Sequence, residues 1–96
     1  MIKIVAKMVL REECIPQFCE EARELVEKSR AEEGNVSYSL NRSTSDPRVF
    51  CFMEIWKDAK AIESHNATAH FTGILPKLAA MTAEDQPVDL YEEVEF

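Results

Sequence analysis

The segment Val49-Phe50-Cys51-Phe52-Met53-Glu54-Ile55-Trp56-Lys57 alternates from residue to residue. Val49, Cys51, Met53 and Ile55 fall on one face of an extended chain, and Phe50, Phe52, Glu54 and Trp56 on the other. Both faces are largely apolar. A strand of this kind is either central in a layered sheet or sandwiched by a partner. Upstream, Ser45-Asp46-Pro47-Arg48 is a turn signal. Before it, residues 35–43 alternate again, with Val36, Tyr38 and Leu40 on one face. Two strands joined by a turn therefore occupy the middle of the chain.

Working outward, residues 1–10 also have period two, which predicts a first strand. A helix follows. Pro16 suits its first turn, where the missing N–H costs nothing. Phe18, Ala22, Leu25, Val26 and Ser29 make one stripe, and Glu20, Glu21, Glu24, Glu27, Lys28 and Arg30 lie largely off it. Gly34 is expected to end this helix in the usual C′ position of glycine.

Downstream, Asp58 can cap a second helix with Ile62 and His65 inward. A second helical segment near Thr68 carries Phe71, Ile74, Leu75 and Leu78, and Pro76 should kink or restart it. Residues 88–96 read as a fourth strand. The order βαββαβ predicts an α+β, ferredoxin-like domain over residues 1–96, with a four-stranded antiparallel sheet and both helices on one face. The other face would be bare, although its third strand is apolar. A two-fold partner stacking sheet on sheet would cover it, so a homodimer is expected.

Charge and composition narrow the function. Eighteen acidic against eleven basic residues give a net charge of −7, which argues against nucleic acid and anionic membrane surfaces as partners. No apolar run reaches the length of about 20 residues that spans a bilayer. Lys3 and Lys7 interrupt the N-terminal apolar residues, unlike the core of a signal peptide. A cytoplasmic protein is expected. The three cysteines, Cys14, Cys19 and Cys51, lack paired spacing and read as free thiols.

Several side chains are candidates for chemistry. His65, on an inward helix face, is suited to exchange a proton near neutral pH; the competing role is a satisfied core histidine. His70 is five positions on, about 140° round a continuous helix, so the two would not share a face. With no thiol or carboxylate completing a recognisable set, no metal site is expected. His70 then caps or packs the second helical segment. Phe52 and Trp56 can wall a planar substrate or simply fill the core. Glu54, on an apolar face, needs a partner, and Arg42 or a lysine across the sheet is the natural ion pair; a proton-handling role is the alternative. Tyr38 can hydrogen-bond a ligand oxygen or reach the sheet edge, and Asn35 serves the turn after Gly34.

An ordered set of residues carries a resemblance: Glu32-Glu33-Gly34-Asn35, Tyr38, Asp46-Pro47, Phe52, Glu54-x-Trp56-Lys57-Asp58, His65 and His70-Phe71. Together they resemble the antibiotic-biosynthesis-monooxygenase family. The resemblance implies a dimeric α+β barrel, in which ferredoxin-like subunits pack sheet to sheet, with a pocket between sheet and helices. It implies oxidation of a small aromatic with O₂ and no flavin or metal cofactor; other branches degrade haem or isomerise a phosphorylated signalling sugar. Polyketide-oxidising relatives carry an asparagine four residues before the tryptophan, where this chain has Phe52. The first strand has no asparagine, unlike haem-degrading relatives. The Glu33-Gly34-Asn35 turn and the two histidines look like the quinol-oxidising and sugar-isomerising branches. On this reading His65 is the base. Phe52, Glu54, Trp56, Tyr38, Asn35 and His70 form the substrate pocket. The leading expectation is a cofactor-independent monooxygenase of a small electron-rich aromatic such as a quinol. An isomerase, with Lys57 or Arg42 anchoring a phosphate, and a non-catalytic binding module are the alternatives.

Overall fold

A computed structural model describes all residues, 1–96. The elements are β1 (Ile2–Leu10), a short 3₁₀ turn (Glu12–Cys14), α1 (Ile15–Arg30), β2 (Asn35–Arg42), β3 (Val49–Trp56), α2 (Ala59–Asn66), α3 (Ala69–Ala79), β4 (Thr82–Glu84) and β5 (Val88–Glu92). The sheet is antiparallel and ferredoxin-like. β3 lies between β2 and β1, and both β4 and β5 pair with the far edge of β1.

The central strand behaves as its pattern dictates on one side. Phe50, Phe52, Glu54 and Trp56 are buried beneath the helices, joined by Ile4 and Leu10 of β1. The stripe of α1, Phe18, Ala22, Leu25, Val26 and Ser29, is buried against them. Phe18 stacks at 5.4 Å from Phe50 and 6.3 Å from Phe52. Each such fully buried large side chain contributes about 1.5–3 kcal/mol relative to exposure. On the opposite face no element covers the sheet. There Cys51 and Ile55 are half-buried and Met53 is 48% exposed.

Four sequence expectations change. The single fourth strand is two pieces. β5 stops at Glu92 and reaches only Ile2–Ala6 of β1, while β4 pairs with Val9 and Leu10 across a register shift. Pro87, with no N–H to give a ladder, separates the two. Second, Val36 does not share the face of Tyr38. A bulge between Asn35 and Ser37 turns it outward, 48% exposed, while Tyr38 is buried. Third, Gly34 is not a left-handed helix stop: no glycine has a positive φ, and α1 ends at Arg30 with Ala31 as its cap. Gly34 is instead where the chain passes under α2. A Cβ there would fall onto the Cβ of Ala61.

Fourth, α3 runs from Ala69 to Ala79 straight through Pro76 without restarting. The break comes earlier, between α2 and α3. Asp58 caps α2 by accepting from the Ala61 N–H at 2.8 Å. Thr68 both ends α2, donating to the His65 carbonyl at 2.7 Å, and caps α3 by accepting from the Phe71 N–H at 3.2 Å. No helix is long and apolar enough to cross a membrane.

Candidate active site

The helices lean over β2 and β3 and leave the β1–β5 side of the same sheet face open. An apolar cavity of about 370 Å³ results. Its floor is the sheet, through Ile4, Ala6, Phe52 and Glu54; its walls include Leu25, Ile62, Phe71 and Leu75. Val88 and Leu90 of β5, 59% and 57% exposed, line it at the outer edge. Two larger depressions, about 610 and 550 Å³, are surface grooves lined mainly by polar and charged side chains, and neither holds a histidine. The candidate site is therefore the smaller cavity, the one that His65 lines.

His65 is its most informative lining residue. It is 1% exposed. Its Nδ1 lies 2.6 Å from Glu32 Oε2. A carboxylate oxygen only accepts, so Nδ1 carries the proton and Nε2 keeps a lone pair. Nε2 is buried without a protein partner. The ring is fixed by neighbours: Trp56 at 4.5 Å, Phe71 edge-on at 4.9 Å and Tyr38 at 5.7 Å between centroids. Burial lowers the His65 pKa from its ordinary value, while the hydrogen bond and charge of Glu32 pull it back up. The histidine is thus poised neutral, oriented, and basic at the nitrogen left free.

Glu54 corrects the ion-pair expectation. It is 7% exposed and has no cationic partner. Its Oε1 accepts instead from the Trp56 indole N–H at 2.9 Å. Burial pushes its pKa up to about 7, against the lowering effect of that hydrogen bond and with some help from the charge of Glu32. Arg42 is elsewhere, donating to the Pro47 carbonyl and lying 5.2 Å over the Phe50 ring. Tyr38 lines the cavity, and burial, then the nearby Glu54, hold its hydroxyl well above the usual range.

Of the seven candidates, His65, Tyr38, Phe52 and Glu54 line the cavity together. Three do not. Trp56 is fully buried behind Glu54 and beside His65, a support and not a wall. Asn35 ties the bulge, its Nδ2 donating to the Ser37 carbonyl at 3.1 Å and to the Ile55 carbonyl at 3.4 Å. His70 lies behind His65 and donates from Nε2 to the same Glu32 oxygen at 2.9 Å. The angular argument that separated the histidines fails because α2 and α3 are not one helix. Their ring centroids are 6.0 Å apart. The carboxylate thought missing from any metal set is also present: Glu32, His65 and His70 bring three ligand atoms within 4.8 Å of one another. Glu32 carries no local signal of this role, since it sits in a charged turn 33 residues from its partner.

The fold and site define a class: small ferredoxin-like α+β domains with an apolar pocket between sheet and helices and one oriented histidine in it. The sequence comparison makes this specific. Residues 1–76 match the model of the antibiotic biosynthesis monooxygenase family, and the chain belongs to that family. It is 42% identical over 77 residues to the Bacillus subtilis (strain 168) protein named "Putative monooxygenase YcnE", covering 80% of this chain and 81% of that one. A crystal structure described as an antibiotic biosynthesis monooxygenase superposes with a TM-score of 0.95 at 37% identity, over 99% of this chain and 100% of that one. A conserved protein from Methanosarcina mazei Go1 gives 0.94 at 26% identity, over 97% and 92%. Family membership supports a monooxygenase-like function.

Proposed function

We propose that this protein is a monooxygenase that needs no cofactor and oxidises a small electron-rich aromatic, such as a quinol, with O₂. The observation that carries the reading is the buried, unpartnered Nε2 of His65, in a residue that lines an apolar cavity while its Nδ1 is locked onto Glu32. The cavity's volume fits an aromatic of one or two rings, and its lining is mostly apolar. His65 Nε2 takes a phenolic proton. The phenolate passes one electron to O₂, and the radical pair combines to a carbon-bound peroxide anion. That anion recovers the proton from His65 as a hydroperoxide, and loss of water leaves one oxygen atom on the ring. Orienting the substrate and keeping it dry supplies most of the acceleration.

The homodimer belongs to the same reading. The bare sheet face with Met53, Cys51 and Ile55 is what a second copy would cover. An isomerase acting on a phosphorylated sugar is less well supported. Neither Lys57 nor Arg42 lines the cavity, and Lys7 is the one cation that does. Oxygen uptake with a panel of quinols tests the proposal. Uptake that is absent across the panel, together with product formed under nitrogen, would replace it with the isomerase.

A further inference from the structure

Besides His65, the cavity holds a second acid–base group that the proposed oxidation leaves without a role. That group is Glu54, and its surroundings are unusual for a carboxyl group. It sits on β3 beneath the helices, with no lysine or arginine paired to it. The indole N–H of Trp56, which can only donate, is bound to Oε1. When the carboxyl group holds a proton, that proton is therefore on Oε2, the oxygen the protein leaves without a partner. The titratable groups around it are few. Tyr38 faces it from β2, Glu32 from the turn after α1, His65 from α2, and Lys7 from β1 at the cavity's margin. α1, α3 and β5 present only the apolar Leu25, Phe71, Leu75, Val88 and Leu90. Two negative or potentially negative neighbours and an apolar wall disfavour the carboxylate.

We propose that Glu54 works as a protonated carboxylic acid whose Oε2–H donates a hydrogen bond to an acceptor oxygen of the bound molecule. This rests on the reading of the cavity as a substrate pocket. When His65 removes a proton from one oxygen of a conjugated substrate, negative charge spreads to the others. A fixed donor at the far oxygen stabilises that charge in a water-poor site more than it stabilises the neutral substrate. The pocket then selects molecules with two conjugated oxygens, one acidic and one accepting. It discriminates against anions, because ionising Glu54 or adding a carboxylate beside it would bury like charges together.

Acetophenone and ethylbenzene, nearly equal in size, differ by one oxygen that accepts but cannot donate. Calorimetric titration of the full-length protein with each, at pH 6 and pH 8.5, isolates the Glu54 proton. Acetophenone should bind about tenfold more weakly at the higher pH, the scale of one hydrogen bond to a buried group. Ethylbenzene should not change, and neither ligand titrates. In Glu54→Gln the amide N–H still donates, so acetophenone binding should persist and lose its pH dependence. Glu54→Met should bind both ligands alike. If the wild-type protein shows the same pH response for both ligands, Glu54 is not a donor, while the pocket reading stands; this arm needs no variant to fold. If neither ligand binds at millimolar concentration, the pocket reading fails and this proposal with it.

Discussion

One oxygen atom of Glu32 stands 2.6 Å from His65 Nδ1 and 2.9 Å from His70 Nε2. The turn after α1 is thereby joined to both helical segments that follow β3. The same bond decides which nitrogen of His65 carries the proton and which keeps a lone pair. Fold and chemistry share this contact: without the break at Thr68 the second histidine would point elsewhere, and without Gly34 the turn could not lie against α2.

Glu32→Gln should therefore disturb chemistry more than folding. The Glu32 charge and hydrogen bond are what raise the His65 pKa against burial. Glutamine can still accept from Nδ1 but carries no charge, and the loss of that charge moves the rising limb of the pH–rate profile to lower pH. Turnover should fall by roughly 10²-fold, the low end of what a positioned base contributes. A lower rate with an unmoved pH limb would assign Glu32 a structural role only.

Gly34→Ala tests the close approach. Its Cβ would collide with Ala61, so α2 must shift, at a cost of about 1–3 kcal/mol in denaturant unfolding. Ala61→Gly in the same chain should recover part of the loss. A neutral Gly34→Ala would mean the turn and α2 are less tightly apposed than described.

The sheet's bare face predicts the assembly. Light scattering at micromolar concentration should give twice the 11.0 kDa chain mass. Met53→Lys, at the 48% exposed centre of that face, should shift the protein toward monomer. A clean wild-type monomer would remove the face-to-face arrangement.

Much of this was legible because it was local. The two-sided β3 and the stripe on α1 follow from period alone, and each buried residue of the stripe is where its spacing puts it. Asp58 and Thr68 announce their helices by residue type. What was not legible depends on distant parts meeting. Glu32 looks like one more charge in a solvated turn until α2 closes over it. The five-residue spacing of His65 and His70 misleads as long as the helix is taken as continuous. Val36 changes face through a bulge that no composition signals. The partner of Glu54 was within reach: Trp56 is two residues on, on the same face of the same strand.

The pH dependence of stability should reveal Glu54. In the folded chain its carboxyl group titrates near 7, and in the unfolded chain near its ordinary 4.5. The folded state holds the proton more tightly, so its contribution is fully present below 4.5 and is lost as pH rises through about 7. His65 acts in the opposite sense. Its lowered pKa withdraws stability as pH falls below the ordinary histidine value. Glu54→Gln has no proton to lose. Its melting temperature should match the wild type near pH 5 and exceed it by several degrees at pH 8. Parallel curves for the two proteins would mean that Glu54 titrates like an exposed glutamate.

The test of His65 separates a base from a core residue. Its ring is buried, packed against Trp56 and Phe71, and bonded to Glu32, features that a purely structural histidine also shows. The distinguishing feature is Nε2, buried and unpartnered in a residue that lines the cavity. If the ring is only structural, His65→Gln loses one charge-assisted hydrogen bond, about 1.5–3 kcal/mol, and an active substrate turns over at an unchanged rate. If Nε2 is the base, the same substitution lowers turnover by roughly 10²–10⁴-fold and abolishes the near-neutral limb of the pH–rate profile. Folding and assembly should survive it, as checked by circular dichroism and light scattering. The assay is oxygen uptake with whichever quinol the wild-type protein accepts. A His65→Gln protein that consumes oxygen at the wild-type rate would show that His65 is not the base.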